Sequence, residues 1–279
     1  MESTIFFDGQ KVVVEHTKRE VGPVLDFLFG DLPKPSDPET EPSVAARFVI
    51  EYSDENAIWS LRREQQSLFK GSNINGLANM LMGEVLFHLI KGNSSGMAIH
   101  AGLVSGKNGA VLMPAESGSG KSSLTTWLVV NGLHYHTDEL VIINPEDHSL
   151  KAFTRPLNIK SRGVDAIQSI FDLEPHNADI RSSQMVTMIP HRLVNENYQD
   201  VIPPLGHIIY PKYVADSDSE ITRLSGAEAG LELMRSNVIA RNLPNHGFSQ
   251  VTRLVRDVPA YRLRYKSYDD LPELLEGII

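Results

Sequence analysis

A glycine-rich segment at residues 114–123 carries the residue types that bind phosphate groups. It reads Pro-Ala-Glu-Ser-Gly-Ser-Gly-Lys-Ser-Ser. An apolar run ends before it at Met113, and an amphipathic run follows it to Val130, so we predict a strand, a loop and a helix. Glycines let backbone amides turn toward a phosphate chain, and the new helix adds the positive end of its dipole.

The residues of this loop have separate predicted tasks. Lys121 is long enough to reach the β- and γ-phosphates of a nucleotide, and the hydroxyl of Ser122 is a ligand for Mg²⁺. The common pattern G-x-x-x-x-G-K-[ST] begins with glycine, where this chain has Ala115. The alternative to a phosphate-binding loop is an ordinary strand-to-helix turn with a lysine in the first turn of the helix. The residues predicted to bind the cofactor are Glu116, Ser117, Gly118, Ser119, Gly120, Lys121, Ser122 and Ser123.

Two consecutive carboxylates, Asp138 and Glu139, precede the apolar run at residues 140–143. Asp138 lies 17 residues after Lys121. That spacing leaves room for one helix, a turn and a strand, so we expect the acids to return beside the loop. Carboxylates at a phosphate site hold Mg²⁺ or accept the proton of an attacking hydroxyl. The alternative is a pair of surface acids at a strand end.

Histidines near these elements add a weaker signal. His100 lies on the strand before the loop strand, and a lone strand histidine is usually structural, so its value comes from the combination. His134, His136 and Asp138 point to one side of a strand and could form a metal trio. Zinc needs a fourth ligand, which is not evident, and Asp138 already has a predicted task.

A histidine before the loop, the loop itself and the acidic pair together resemble HPr kinase/phosphorylase. The chain resembles more closely the HPr-kinase-related proteins of bacterial peptide gene clusters, which include kinases that phosphorylate a serine of a lasso-peptide precursor. The resemblance runs from about residue 97 to about residue 270 and includes residues 155–160, 210–213 and 237–248. It implies an α/β fold with a P-loop core on a mixed sheet, as in HPr kinase and the phosphoenolpyruvate-carboxykinase-like kinases.

The resemblance also implies roles for individual residues. Asp138 would be the base that deprotonates the acceptor hydroxyl, with His100 close by to tune its charge. Lys160, together with Arg155, would offset charge on the transferred phosphoryl group. Glu139 stands where the family has a second aspartate, and the implied Mg²⁺ ligands are Ser122, Asp138 and Glu139.

The activity implied is that of a kinase with ATP and Mg²⁺ as cofactors, which transfers the γ-phosphoryl group to a hydroxyl. The acceptor implied is a serine of a peptide or protein, such as a precursor peptide. A kinase of a small metabolite would have the same site. A nucleotide-binding regulatory module without transfer is a further alternative, for which Ala115 and Glu139 leave room.

Bulk composition limits the other classes of function. The chain has 279 residues, 41% hydrophobic and 22% charged, which is typical of a globular protein. Its net charge of −9 argues against a nucleic-acid partner, and its lack of cysteine excludes disulfides. The N-terminus lacks the regions of a signal peptide and no run is long enough for a membrane span, so we expect a cytoplasmic protein. Assembly into a homo-oligomer stays open.

We predict two units, a small α+β module at residues 1–95 and a P-loop domain at residues 96–279. The boundary falls at the Gly-Asn-Ser-Ser-Gly segment, residues 92–96. Within the N-terminal module, an Asp-Gly turn at residues 8–9 predicts a β-hairpin, and residues 47–52 and 57–62 are predicted strands. Apolar residues at helical spacing predict a helix at residues 77–91. Residues 31–43 are rich in proline and acid and are predicted to be a loop. Ser225 and Glu228 lie in a segment that mimics an ATPase signature, but their spacing is better explained as a helix capping box.

Overall fold

The N-terminal part of the chain folds into one sheet and two helices. A computed structural model describes residues 1–33, 42–116, 118–195 and 198–279. Ser117, which we predict to bind the cofactor, lies outside the described residues, as do residues 34–41 of the predicted loop. The first elements are β1 (Glu2–Phe7), β2 (Gln10–His16), α1 (Val21–Phe29), β3 (Ser43–Ser53), β4 (Ile58–Arg63), β5 (Gln66–Gly71) and α2 (Ile74–Ile90).

The five strands are ordered β1-β2-β3-β4-β5; β2 and β3 run parallel and the other neighbours run antiparallel. The predicted N-terminal hairpin is confirmed, because Asp8 and Gly9 turn between β1 and β2 with φ angles of 45° and 77°. The predicted helix at residues 77–91 starts earlier, since the side chain of Asn73 caps it by accepting from the amide of Asn75 at 2.8 Å. Strand β5 was not predicted.

The rest of the chain builds a larger mixed sheet and a small third sheet. Its elements are β6 (Met97–Gly106), β7 (Gly109–Pro114), α3 (Lys121–Val130), β8 (His134–Thr137), β9 (Leu140–Ile143), β10 (Leu150–Ala152), β11 (Leu157–Lys160), α4 (Val164–Gln168), β12 (Arg181–Ser182), β13 (Val186–Ile189), α5 (His191–Val194), β14 (Leu205–Tyr213), β15 (Glu220–Arg223), α6 (Gly226–Ser236), α7 (Phe248–Asp257), β16 (Ala260–Tyr265) and α8 (Leu271–Leu274).

The large sheet has the order β10-β9-β6-β7-β14-β16-β15, with β8 also paired to β6. Strands β7, β14 and β16 run parallel to one another, and the remaining pairs are antiparallel. The small sheet has the order β11-β13-β12. The protein is therefore a mixed α/β protein, as the sequence predicts at that level.

Helices cover both faces of the large sheet, which explains why its central strands are almost continuously apolar. On one face, Leu124 and Leu128 of α3 join the cluster that holds Val111 of β7. On the other face, Leu233 of α6 and Leu254 of α7 lie in the buried cluster that holds Ile99 of β6. The predicted capping box is confirmed at the start of α6, where the Ser225 and Glu228 side chains bond reciprocally to the backbone.

The two predicted units share a hydrophobic core. Phe153 packs edge-on against Phe7 at 5.2 Å and against Phe29 at 6.4 Å between ring centroids. Ala98 and Ile142 of the large sheet belong to the same buried cluster. The shared core therefore joins residues from both sides of the predicted boundary at residues 92–96. The boundary itself stays a prediction. In the described part of the chain, no helix combines the length and apolar character needed to cross a membrane.

We predict that Phe153→Ala destabilises the whole protein, because it leaves a cavity between the N-terminal sheet and the large sheet. The expected loss is about 3–5 kcal/mol in the free energy of unfolding, measured by urea denaturation. The matched control is Phe248→Ala, whose ring is 65% exposed, and which should change stability by no more than about 0.5 kcal/mol. Equally small losses in the two variants would contradict the shared core.

Candidate functional site

The predicted strand, glycine-rich loop and helix are present, with β7 ending at Pro114 and α3 beginning at Lys121. Gly118 and Gly120 have φ angles of 93° and 91°, a conformation that side chains disfavour. A Cβ atom on Gly120 would also lie 2.6 Å from the hydroxyl of Tyr265. Glycine is therefore required at position 120 for two independent reasons.

Lys121 points from the start of α3 into a buried group of charges. Its side chain is nine-tenths buried, and its Nζ donates a hydrogen bond to the backbone carbonyl of Asp138. Burial lowers the pKa of Lys121, while the nearby charges of Asp138 and Glu139 act in the opposite direction. The acids thus return beside the loop, as the spacing predicted.

The carboxylate of Asp138 is only 1% exposed and is held by three donors. The hydroxyl of Ser122 lies 3.2 Å from Oδ2, and the amide of Asn158 lies 3.4 Å from the same oxygen. On the other oxygen, Oδ1, Nε of Arg155 donates at 3.1 Å. One carboxylate oxygen is therefore shared with the loop serine, and the other is taken by the arginine.

Glu139 lies beside this arginine and completes the cluster. Its carboxylate is 2.5 Å from Nη2 of Arg155 and 3.6 Å from Nδ1 of His100. The resemblance placed His100 close to Asp138, whereas the structure places it against Glu139. The reason is the strand pairing, which sets His100 of β6 opposite Leu140, the residue next to Glu139.

The charges in this cluster set the protonation states of its members. Burial acts to raise the pKa of Asp138, but the charges of Arg155 and Lys121 outweigh it and bring the pKa below its ordinary value. Burial and the charge of Lys121 lower the pKa of His100. The expected state at neutral pH is an ionised Asp138 and a neutral His100.

A cavity of about 650 Å³ opens above this cluster. The predicted site residues that line it are His100, Glu116, Gly118, Gly120, Lys121, Ser122, Ser123, Asp138, Glu139 and Lys160. Ser119 does not appear among the described lining residues, and its carbonyl accepts from the amide of Tyr213 at 2.9 Å. Lys160 reaches the cavity from the end of β11, and Arg155 lines it from the segment before β11.

Sequence reasoning assigned no role to several other cavity residues, one of them on β11 and the rest in the C-terminal part of the chain. These are principally Asn158, Tyr213, Tyr265, Lys266, Ser267 and Tyr268. Tyr213 and Tyr265 occur at the ends of β14 and β16, which are both parallel to β7, the strand that leads into the loop. Carboxyl ends of parallel strands meet at one edge of a sheet. Recognising three parallel strands would have indicated these residues.

The residues present fit a phosphate-bearing ligand and a hard metal ion. The loop combines left-handed glycines, the beginning of a helix and a buried lysine. The hydroxyl of Ser122 and the carboxylate of Asp138, 3.2 Å apart, are oxygen ligands of the type that Mg²⁺ prefers. These two residues, with Glu139 nearby, would hold the ion.

The structure does not assemble His134, His136 and Asp138 into a metal site. His136 lies 2.8 Å from the hydroxyl of Ser105, through Nε2. Burial and the neighbouring His134 lower the pKa of His136 to about 4. In the described ranges, no group of three histidine or carboxylate side chains is arranged to hold a metal ion.

No family model matches the chain. No curated protein matches it either. Among solved structures, the chain is similar to the Hpr(Ser) kinase/phosphatase from Coxiella burnetii, with 12% sequence identity, a TM-score of 0.29, and coverage of 65% of this chain and 87% of that chain. A likeness of this size carries no argument about fold or activity, so the functional argument rests on the residues of the cavity.

We predict that Arg155→Met destabilises the protein most strongly near neutral pH, because it leaves the buried Asp138 and the partly buried Glu139 beside Lys121 alone. The expected loss in the free energy of unfolding at pH 7 is about 3–5 kcal/mol. In the wild type, the pKa of Asp138 in the folded protein lies below the ordinary 3.8. The ionised carboxylate therefore stabilises the fold above pH 3.8, and this stabilisation is lost as the pH falls through the pKa of the folded protein. In the variant, burial would raise this pKa, so acidification should reduce the difference from wild type.

Urea denaturation of both proteins at pH 7 and pH 4.5 would measure this effect. Arg256→Met is the matched control, because Arg256 pairs with Asp257 on the surface and such exposed pairs contribute little. A difference between wild type and Arg155→Met that stays the same at both pH values would contradict the assignment of the buried charges.

Proposed function

We propose that this protein is a kinase that uses ATP and Mg²⁺ to phosphorylate a hydroxyl group, namely a serine of a peptide or protein. The observation that carries the proposal is the meeting of Lys121, Ser122 and Asp138 in one cavity. A buried lysine after two left-handed glycines binds phosphate, and a serine hydroxyl sharing a carboxylate is the arrangement that holds Mg²⁺ beside it.

The loop residues bind and orient the phosphate chain. Gly118 and Gly120 let the backbone amides face the cavity, and the start of α3 adds its positive dipole end. Lys121 already lies against Asp138, so a phosphate that it contacts would also lie near that carboxylate. The segment acts in this proposal as a phosphate-binding loop, with Ala115 in the place of its first glycine.

Ser122, Asp138 and Glu139 are the proposed ligands of Mg²⁺. The ion, when bound, neutralises charge on the phosphate oxygens and keeps them in position. The carboxylate of Asp138 needs no deprotonation to take part, because Arg155 and Lys121 keep its pKa low. Arg155 also restricts the rotation of this carboxylate through its contact with Oδ1.

Asp138 is also the proposed acceptor of the proton from the attacking hydroxyl. A carboxylate with a low pKa is a weak base, but phosphoryl transfer passes through a loose transition state in which positioning matters more than basicity. Arg155 and Lys160 line the same cavity and bring positive charge to the region of the transferred group. His100 contacts Glu139 and would act on that carboxylate rather than on Asp138.

The peptide nature of the acceptor rests on the resemblance of the sequence to kinases that modify precursor peptides. Residues 1–95 are the proposed docking unit for the acceptor. Asn79 of α2 belongs to that unit, and its Oδ1 accepts from the side chain of Asn158 at 3.3 Å. Asn158 in turn contacts Asp138 through its amide. A single residue, Asn158, therefore connects the N-terminal module to the proposed base.

The first experiment is to incubate the purified protein with γ-labelled ATP, Mg²⁺ and the peptides or proteins encoded beside its gene. We expect label on a serine. The parallel Lys121→Ala variant should transfer none, because it lacks the charge that holds the terminal phosphates. Mass spectrometry of the labelled product identifies the acceptor residue.

Other outcomes of the same experiment separate the alternatives. Nucleotide binding without any labelled peptide, but with label on a small molecule from a metabolite mixture, would favour a metabolite kinase. Nucleotide binding with neither labelled product nor released phosphate would favour a regulatory module and would contradict the proposed transfer.

We predict that Asp138→Asn lowers kcat by about 10²–10⁴-fold, because it removes the proposed base while nearly preserving shape. Binding of ADP, measured by calorimetry, should be retained. Asp147→Asn is the matched control, because Asp147 lies on the surface turn after β9. Full activity of Asp138→Asn would contradict the assignment of the base.

A further inference from the structure

Three tyrosines form one side of the cavity, and we call them the tyrosine wall: Tyr213, Tyr265 and Tyr268. Their rings are in contact. Tyr213 and Tyr265 meet edge to face at 5.6 Å between centroids, and Tyr265 and Tyr268 meet at 5.9 Å. Contacts of this kind hold aromatic rings in defined orientations.

The tyrosine wall is attached to the glycine-rich loop. The hydroxyl of Tyr265 donates to the carbonyl of Gly120 at 3.2 Å, and the amide of Tyr213 donates to the carbonyl of Ser119 at 2.9 Å. Tyr268 lies close enough to Ser123 for that side chain to act on the pKa of its hydroxyl, which burial raises. A ligand whose phosphates lie on the loop therefore has aromatic surface directly beside it.

The three rings differ in what the fold requires of them. Tyr265 is only 1% exposed, and burial raises the pKa of its hydroxyl, so it stays a donor to the loop. Tyr213 is 49% exposed even though it lines the cavity. Its backbone, not its ring, holds the loop, so the core does not account for an aromatic side chain at this position.

The two ends of the cavity have different chemistry. Asp138, Glu139 and Arg155 form a charged end, and the acceptor hydroxyl must reach Asp138 there. The nucleoside part of the donor cannot occupy the same space. The loop lies between the charged end and the tyrosine wall, since Lys121 contacts Asp138 while Gly120 contacts Tyr265.

We propose that the base of the donor nucleotide stacks on the tyrosine wall, chiefly on Tyr213. This inference rests on the proposed nucleotide site and extends it to the donor, which it identifies as a nucleoside triphosphate rather than an inorganic polyphosphate. Aromatic side chains stack on any base, because every base has a π-face. An inorganic polyphosphate offers the wall nothing to stack on.

The test compares the binding of ATP and of tripolyphosphate, each with Mg²⁺, by calorimetry on the full-length protein. Tyr213→Ala should weaken ATP binding by about tenfold and leave tripolyphosphate binding unchanged. Tyr213→Phe keeps the ring and should retain most of the ATP affinity. Tyr52→Ala is the control for loss of a tyrosine outside the cavity, where Tyr52 packs on Trp59.

The outcomes distinguish this inference from the proposed function. Equal weakening of both ligands by Tyr213→Ala would overturn the inference, because the residue would then act on the loop. No effect on either ligand would overturn it as well. Selective weakening of ATP in a protein that transfers no phosphate would support base stacking and count against the kinase. Failure of the wild type to bind either ligand would overturn the nucleotide site and the inference together.

Discussion

The pairing of buried charges around Asp138 is the interaction on which the rest of the site depends. Charged groups buried without partners are costly, so the buried Asp138, Lys121 and Arg155 must be brought together from separate elements, with the partly buried Glu139 beside them. This requirement joins the start of α3, the end of β8 and the segment before β11. The glycine-rich loop is placed at the cavity because the lysine that follows it belongs to this cluster.

The same cluster prepares the cavity for chemistry. Two basic side chains keep Asp138 ionised in a buried position, where desolvation alone would raise its pKa. In the proposed kinase, this ionised and oriented carboxylate next to a serine hydroxyl would serve both metal binding and proton acceptance. The tyrosine wall on the other side of the loop provides aromatic surface in the same cavity. A site with one charged end and one aromatic end suits a ligand that has phosphates at one end and a ring at the other.

Local patterns predicted the elements that carry the site, and long-range pairing decided its details. The strand, the loop and α3 followed from the apolar runs and the glycines, and the return of Asp138 followed from its distance along the chain from Lys121. The position of His100 beside Glu139 did not follow from a local pattern, since it depends on the register of β6 with β9. Strand β5 was not predicted because its few apolar residues give only a weak alternation. It lies at the edge of its sheet, where it pairs with one neighbouring strand, β4.

The sequence by itself determined the mixed α/β class at a coarse level, the glycine-rich loop and the acids that stand beside it. These features depend on residue type and short spacing, which act through the backbone within a few residues. Only the tertiary structure decided that Arg155 holds both acids, that Tyr213 and Tyr265 line the cavity, and that the N-terminal sheet shares a core with the large sheet. Those contacts join residues far apart in the chain. They depend on strand order and on the burial of charge and apolar surface, which no local pattern encodes.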